Sequence, residues 1–275
     1  MRSRPCLCAL AVLALFATAA TPAAAQTSEA VDRSSLRVCA DPANLPFSNE
    51  AGEGFENKIA ELLAEELGVP VAYTWFPQST GFIRNTLKAR LCDVVIGISL
   101  GFEQLQNTNP YYRSAYVMMY RAEGSPEVVS LSDPTLKSAR IGLVAGTPPA
   151  TMIAINGLMT QVRPYHLHAD TRHDHPGRKL VEDLAKGEID VGLLWGPIAG
   201  YYAKQQDVAL KVVPLLTEDG PVRMDYRITM GLRPNEPEWK RRLNDILKRR
   251  KADIDAILRD YGVPLLDRQG KLIEP

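Results

Sequence analysis

The sequence predicts an α/β protein in which parallel strands are covered by helices, and three observations carry that expectation. Apolar runs of strand length recur along the chain, "LRVCAD", "CDVVIGISL" and "EIDVGLLW" among them. Stretches with apolar residues at helical spacing alternate with these runs. Glycine and proline stand at the junctions, so that one run stops before the next begins. Strands and helices in strict alternation build a parallel sheet with helices on its faces.

The chain has 275 residues. Its first 25 read as a secretory signal: a basic start, "MRSR", then the apolar "LCALAVLALFATAA", then Ala23-Ala24-Ala25 as the small-residue cleavage site. The mature protein is therefore expected to begin near Gln26. No later segment reaches the ~20 uninterrupted apolar residues of a membrane span. Cleavage removes Arg2 and Arg4 and no acid, which leaves a balance close to neutral and slightly negative. Such a surface argues against nucleic acid as a partner.

Past the signal, "LRVCAD" (36–41) is a strand, and Phe55, Ile59, Leu62, Leu63 and Leu67 mark a helix that stops at Gly68. "VAYTWF" (71–76) reads as a strand, "TGFIRNTLKAR" (80–90) as a helix, and "CDVVIGISL" (92–100) as a strand buried on both faces. The β-rich "AYVMMYR" (115–121) follows, and "AEGSPE" marks a break in composition. A second alternation begins there. "SARIGLVAG" is a strand, "TPPATMIAINGLM" a helix, "QVRPYHL" a strand, "GRKLVEDLAKG" a helix and "EIDVGLLW" a strand. "YRITMGL" (226–232) returns to a strand, and the lysine- and arginine-rich tail gives one broken or two successive amphipathic helices. Trp239, Leu243, Ile246 and Leu247 share one apolar face, and Ile254, Ile257 and Leu258 another.

Ligands of open α/β sheets sit beyond the carboxyl ends of strands, where loops and helix N-termini converge. "CADPANLPFSNEAGEGFE" (39–56) is a loop of that kind. Asp41, Asn44, Pro46 and Phe47 follow the strand, and Gly52, Gly54 and Phe55 precede the helix. The prolines stiffen the loop while its amide and aromatic groups can hold a ligand. In the plainer reading Phe47 and Phe55 only staple the helix start. Two of the four cysteines leave with the signal. Cys39 and Cys92 remain in an oxidising compartment, either as a disulfide or as two buried thiols. A bond closing a loop of about 50 residues would stabilise by ~4 kcal/mol.

"DPANLPFSNEAGEGFE", "CDVVIGIS", "NPYYRSAYV", "IGLVAGTPP" and "DLAKGEIDVGLLWGP", in that order and across the whole mature chain, resemble a type II periplasmic solute-binding protein. That resemblance implies two lobes: 34–121 with 224–275, and 123–220. Each would be a mostly parallel sheet flanked by helices, joined to the other by crossover strands near 115–122 and 214–226, with a ligand cleft between. It implies cleft residues among Asp41, Asn44, Phe47, Phe55, Trp75, Ser99, Tyr112, Arg113, Thr147 and Trp195. The amino-acid binders of the family carry an arginine just after the "DVVIGIS" strand and an acid after the strand matching "DVGLL". Here those places read Gly101-Phe102-Glu103-Gln104-Leu105 and Trp195-Gly196-Pro197. A zwitterion buried without both clamps leaves charge unpaired at a cost of several kcal/mol, so an amino acid is not expected.

A narrower resemblance accounts for those departures. "CADPANLPFSNEAGEGFENKIAELLA", "FIRNTLKARLCDVVIGI", "PYYRSAYV" and "GLLWGPIAGYYAK" are similar to the J-type proteins (MxaJ/XoxJ) associated with methanol dehydrogenase. This implies a periplasmic partner of a PQQ-dependent methanol dehydrogenase, with room for the enzyme's cytochrome c. The role implied is assembly or activation by contact, with no catalysis and no cofactor of its own.

Other constellations are weaker. All four histidines lie in "HLHADTRHDH" (166–175), where imidazoles beside Asp170 and Asp174 raise metal capture; no second ligand group accompanies them, and a solvated loop is the preferred reading. Tyr111, Tyr112, Arg113, Trp195, Tyr201 and Tyr202 are binding-surface types, with core packing as the alternative. A solute-binding protein for a small ligand other than an amino acid is the second functional reading, with Phe47, Trp75 and Trp195 in its cleft. An enzyme built on Asp41, Glu53 and Glu56 is the third, without a visible residue pair to orient a base.

Titration of the unfolded, unreduced mature protein with a thiol reagent should find no free thiol if Cys39 and Cys92 are bonded. Two free thiols would show the pair to be reduced.

Overall fold

The computed structural model describes residues 33–124, 128, 130–167, 170–216, 218 and 220–273; the signal segment lies outside them. The chain runs β1 (Leu36–Ala40), β2 (Ala43–Asn44), β3 (Ser48–Asn49), α1 (Phe55–Leu67), β4 (Val71–Trp75), α2 (Phe82–Asn85), β5 (Val94–Ser99), β6 (Gln106–Asn107) and β7 (Tyr112–Arg121). It continues through β8 (Ile141–Val144), α3 (Pro148–Ile155), β9 (Val162–Tyr165), α4 (Pro176–Ala185), β10 (Val191–Trp195), α5 (Gly196–Ala203) and β11 (Leu210–Pro214). β12 (Asp225–Leu232), α6 (Pro237–Arg249) and α7 (Lys251–Asp260) complete it.

The strands pair in the order β4-β1-β5-β12-β7-β10-β8-β9, with β11 also on β7 and β6 on β12. The outer pairs are parallel, β1 with β4 and β5 at one end and β8 with β9 and β10 at the other. In the middle, β12 runs antiparallel to β5 and β7, and β7 antiparallel to β10 and β11. The sheet is thus mixed, because the strands that carry the chain from one half to the other run against those they join. The second crossover, near 214–226, is not one continuous strand among the described residues: β11 ends at Pro214 and β12 begins at Asp225.

Each half has its own core. Phe55, Ile59, Leu62 and Leu63 of α1 pack with Trp239, Leu243 and Ile246 of α6 and with Ile254 and Leu258 of α7 over β1 and β5. In the other half Leu180, Val181 and Leu184 of α4 meet Val117, Met119 and Leu194, while Met152 and Ile153 of α3 meet Ile141, Leu143 and Leu193. The spacings that predict α1, α6 and α7 are therefore the buried faces. α1 stops as expected, with Gly68 left-handed at φ 69° and the Val69 amide donating to the Ala64 carbonyl. The α6 and α7 faces are separated at Arg250, whose φ and ψ of −96° and 20° end one helix and start the next.

One predicted helix is much shorter than its spacing suggests. Only Phe82–Asn85 of the 80–90 segment is helical. The Thr86 hydroxyl donates to the Phe82 carbonyl at 2.7 Å, and the chain turns so that Phe82 and Leu87 bury against Cys39 and Cys92. Those cysteines are bonded, with Cα atoms 5.4 Å apart. Helix α5 was not foreseen, because "GPIAGYYA" is apolar all round and gives no amphipathic signal.

Beside the disulfide, Asp93 is 1 % exposed and accepts hydrogen bonds from Arg37 Nε at 2.8 Å, Arg37 Nη2 at 2.7 Å and Arg233 Nη2 at 2.6 Å. Burial alone would raise the Asp93 carboxyl; the hydrogen bonds and charges of Arg37 and Arg233 outweigh it and hold the group below its ordinary value. This pairing stabilises the fold above the unfolded-state pKa and is lost as pH falls through the folded one. Asp93→Asn removes one of the two carboxylates that pair with buried Arg233, leaving it Glu236 at 2.8 Å, and takes the charge from between Arg37 and Arg233; it should lower stability by about 3 kcal/mol near neutral pH. Denaturant melts should show that deficit shrinking in strong acid; a deficit independent of pH would contradict the pairing.

Candidate functional site

The strand-exit loop, β2 and β3 form a small lip above the sheet. Gly54 lets it fold back onto the start of α1, since a Cβ there would stand 2.0 Å from the Phe47 carbonyl oxygen. The Asn57 side-chain oxygen then accepts from the Gly54 and Asn49 amides at 3.1 Å each, pinning lip to helix. Asp41 is the anchor beneath. It is 2 % exposed and its carboxylate accepts from the Ala43 amide at 2.9 Å and the Gln78 amide at 2.5 Å.

Facing this lip, across a cleft of about 420 Å³, stand the ends of β8 and β10 and the starts of α3, α4 and α5. Among the described residues, Thr171 and Tyr202 bond across the gap. The Thr171 hydroxyl lies 2.7 Å from Asp41 Oδ1 and 2.9 Å from Oδ2, and the Tyr202 hydroxyl donates to the Leu45 carbonyl at 3.1 Å. The two walls are therefore in contact.

The floor is set by strand register. Ile228 of β12 sits opposite Ser99 of β5 and Tyr112 of β7, which brings Ser99, Ile228 and Tyr112 side by side beneath the cleft. One step further along, Trp195 of β10 pairs with Tyr116 of β7. Their rings are 5.2 Å apart, and Tyr226 closes the group at 6.2 Å from Tyr116 and 5.9 Å from Trp195, all edge to face. Among the charged side chains on the lining, Glu56 rises from α1 at the floor, while Asp174 and Arg178 stand on the opposite wall. Arg178 is half exposed and lies 3.5 Å from Glu182 of its own helix.

Of the residues predicted for the cleft, Asn44, Phe47, Ser99, Tyr112, Thr147 and Trp195 lie on its lining. Asp41 lies beneath it, occupied by backbone amides and Thr171. Phe55 is fully buried and packs edge to face on Phe47, Tyr112 and Tyr261, the stapling role that the sequence allowed. Trp75 stacks on Tyr73 at 4.4 Å, away from the opening. Arg113 points to the C-terminal segment, held by Asp225 at 2.6 Å and the Arg268 carbonyl at 3.0 Å.

Sequence reasoning missed two contributors. The sequence offers Glu56 only as a catalytic acid, and its place on the floor follows from Gly97, whose φ of +87° and missing Cβ make room for it. The sequence points to a solvated loop for the histidine segment, yet Thr171, Asp174 and His175 help wall the cleft. Its His168 lies outside the described residues, and among those described no cluster of three or more His, Cys, Asp or Glu could hold a metal ion. No helix among the described residues is long and apolar enough to cross a membrane.

Residues 36–264 match the family model of bacterial extracellular solute-binding proteins, family 3. The chain is 31% identical to Protein MoxJ of Methylorubrum extorquens over 93% of both chains. Among solved structures it is similar to the periplasmic binding protein XoxJ from Methylobacterium extorquens AM1, at 45% identity and a TM-score of 0.73, covering 85% of this chain and 100% of that one. It is also similar to MxaJ from Methlophaga aminisulfidivorans MPT, at 28% identity and the same TM-score, over 84% of this chain and 100% of that one. With its mixed sheet, flanking helices and cleft, the chain belongs to family 3 of the bacterial extracellular solute-binding proteins, has their type II periplasmic binding protein fold, and falls with the J-type members.

Proposed function

We propose that the chain is a periplasmic accessory factor of a PQQ-dependent methanol or alcohol dehydrogenase, which it helps to assemble or activate by protein contact. The observation that carries this reading is similarity to XoxJ over the full length of that protein. The cleft supports it. An amino-acid carrier needs an arginine and an acid poised across the gap; here the lining arginine, Arg178, lies beside an acid of its own helix and the floor acid, Glu56, is buried. The protein works without catalysis, after export and removal of residues 1–25. Its lobes would be 34–121 with 224–275, and 123–220, joined by crossover segments near 115–122 and 214–226.

A second reading, a solute-binding protein for a small ligand other than an amino acid, draws on the 420 Å³ cleft, a volume within the ~300–1,000 Å³ usual for small-molecule sites.

Light scattering of the mature chain with a purified PQQ-dependent methanol dehydrogenase should detect a complex, and deletion of the gene should depress methanol oxidation. No complex, with oxidation unchanged in the deletion strain, would overturn the accessory reading.

A further inference from the structure

Glu56 is a group for which neither the packing nor the contact with a dehydrogenase has a use. It is 9 % exposed, lines the cleft, and its carboxyl has no hydrogen-bond partner among the described residues. The backbone opposite is shaped around it, since a Cβ on Gly97 would stand 1.9 Å from Glu56 Oε1. Burial, and behind it the charge of Asp41, pushes the carboxyl well above the usual carboxylate range and so favours its protonated form. The ionisable groups that face it are Asp41, Tyr73, Tyr111 and Tyr112, with no base among them. A buried acid aimed into a cavity without a protein partner is satisfied by what enters the cavity.

The surroundings decide the sign of that ligand. An anion finds little here. The helices α3, α4 and α5 open onto the cleft, yet α3 and α4 start on Pro148 and Pro176 and α5 carries Pro197 second, and proline has no N–H to donate. His175 is kept neutral because burial lowers its pKa, and Arg178 is already beside Glu182. A cation finds aromatic rings, each worth about 0.5–2 kcal/mol to a positive charge over its face. It also finds the Glu56 carboxyl to ionise against.

We propose that the cleft binds a small organic cation lacking a carboxylate, an alkylammonium of about the size of choline, with Glu56 as its counter-charge and the Tyr116, Trp195 and Tyr226 rings as its wall. The proposal stands apart from the dehydrogenase reading and survives its failure. On binding, the carboxyl gives its proton to solvent and the cation takes the proton's place. Binding therefore releases a proton, and affinity rises with pH until Glu56 is ionised in the free protein.

Isothermal titration calorimetry on the mature chain, in two buffers of different ionisation enthalpy, tests this with choline, its uncharged isostere 3,3-dimethylbutan-1-ol, and glycine betaine. Choline should bind with release of up to one proton, the isostere and betaine at least about tenfold more weakly. Glu56→Gln should cost choline about tenfold or more and abolish proton release. The wild-type pH series keeps the test valid should that variant fold poorly. Equal binding of the isostere, tighter binding of betaine, or no binding of choline, trimethylammonium or methylammonium at millimolar concentration would overturn it, whatever the result with the dehydrogenase.

Discussion

The site depends on one buried carboxylate. Asp41 ends the first strand and is satisfied by two backbone amides and one hydroxyl instead of by a cation, the Ala43 and Gln78 amides on its own side and Thr171 on the other. Each neutral donor to an ionised acceptor is worth about 1.5–3 kcal/mol, and losing one leaves buried charge short of a partner. The lip, the β4–α2 connection and the far wall are all fixed relative to the same two oxygens. The lip residues that line the cleft, Asn44, Leu45 and Phe47, and Gln78 beside them hang from that anchor.

With the lip fixed, the rest of the cleft follows from sheet register. Antiparallel pairing of β7 with β10 and β12 sets Tyr116 against Trp195 and brings Tyr226 onto both. The same pairing sets Tyr112 and Ser99 on either side of Ile228. The floor is thus aromatic and hydroxylic, with one carboxyl. Such a surface suits a protein similar to XoxJ and MxaJ: it keeps the cleft of the fold, while among the described residues the arginine on its lining, Arg178, lies beside Glu182 of its own helix.

Much of this was legible in the sequence, and the reasons differ from element to element. α1, α6 and α7 were plain because each buries one stripe of its surface, so that period and burial coincide. The cysteine pair was visible as an even count in an exported chain, but only the fold brings residues 53 apart in sequence together. α2 misled, because local spacing cannot register that Leu87 is wanted against the disulfide. α5 was hidden by being apolar all round. In the cleft, Asn44, Phe47 and Trp195 followed from the rule that ligands gather at strand ends, while Trp75 failed it because its ring stacks on Tyr73. Glu56 was the hardest to place: its role needs the left-handed Gly97 of a different strand, a relation that no spacing encodes.

The contact between the walls can be read directly in solution. A double-mutant cycle of Asp41→Asn and Thr171→Val, measured by denaturant unfolding, isolates the bond across the cleft from the bonds each residue makes elsewhere. If Asp41 holds the two walls together, the pair should couple by about 1–2 kcal/mol, with the second substitution costing little once the first is made. Strictly additive losses would contradict a closed cleft anchored on Asp41.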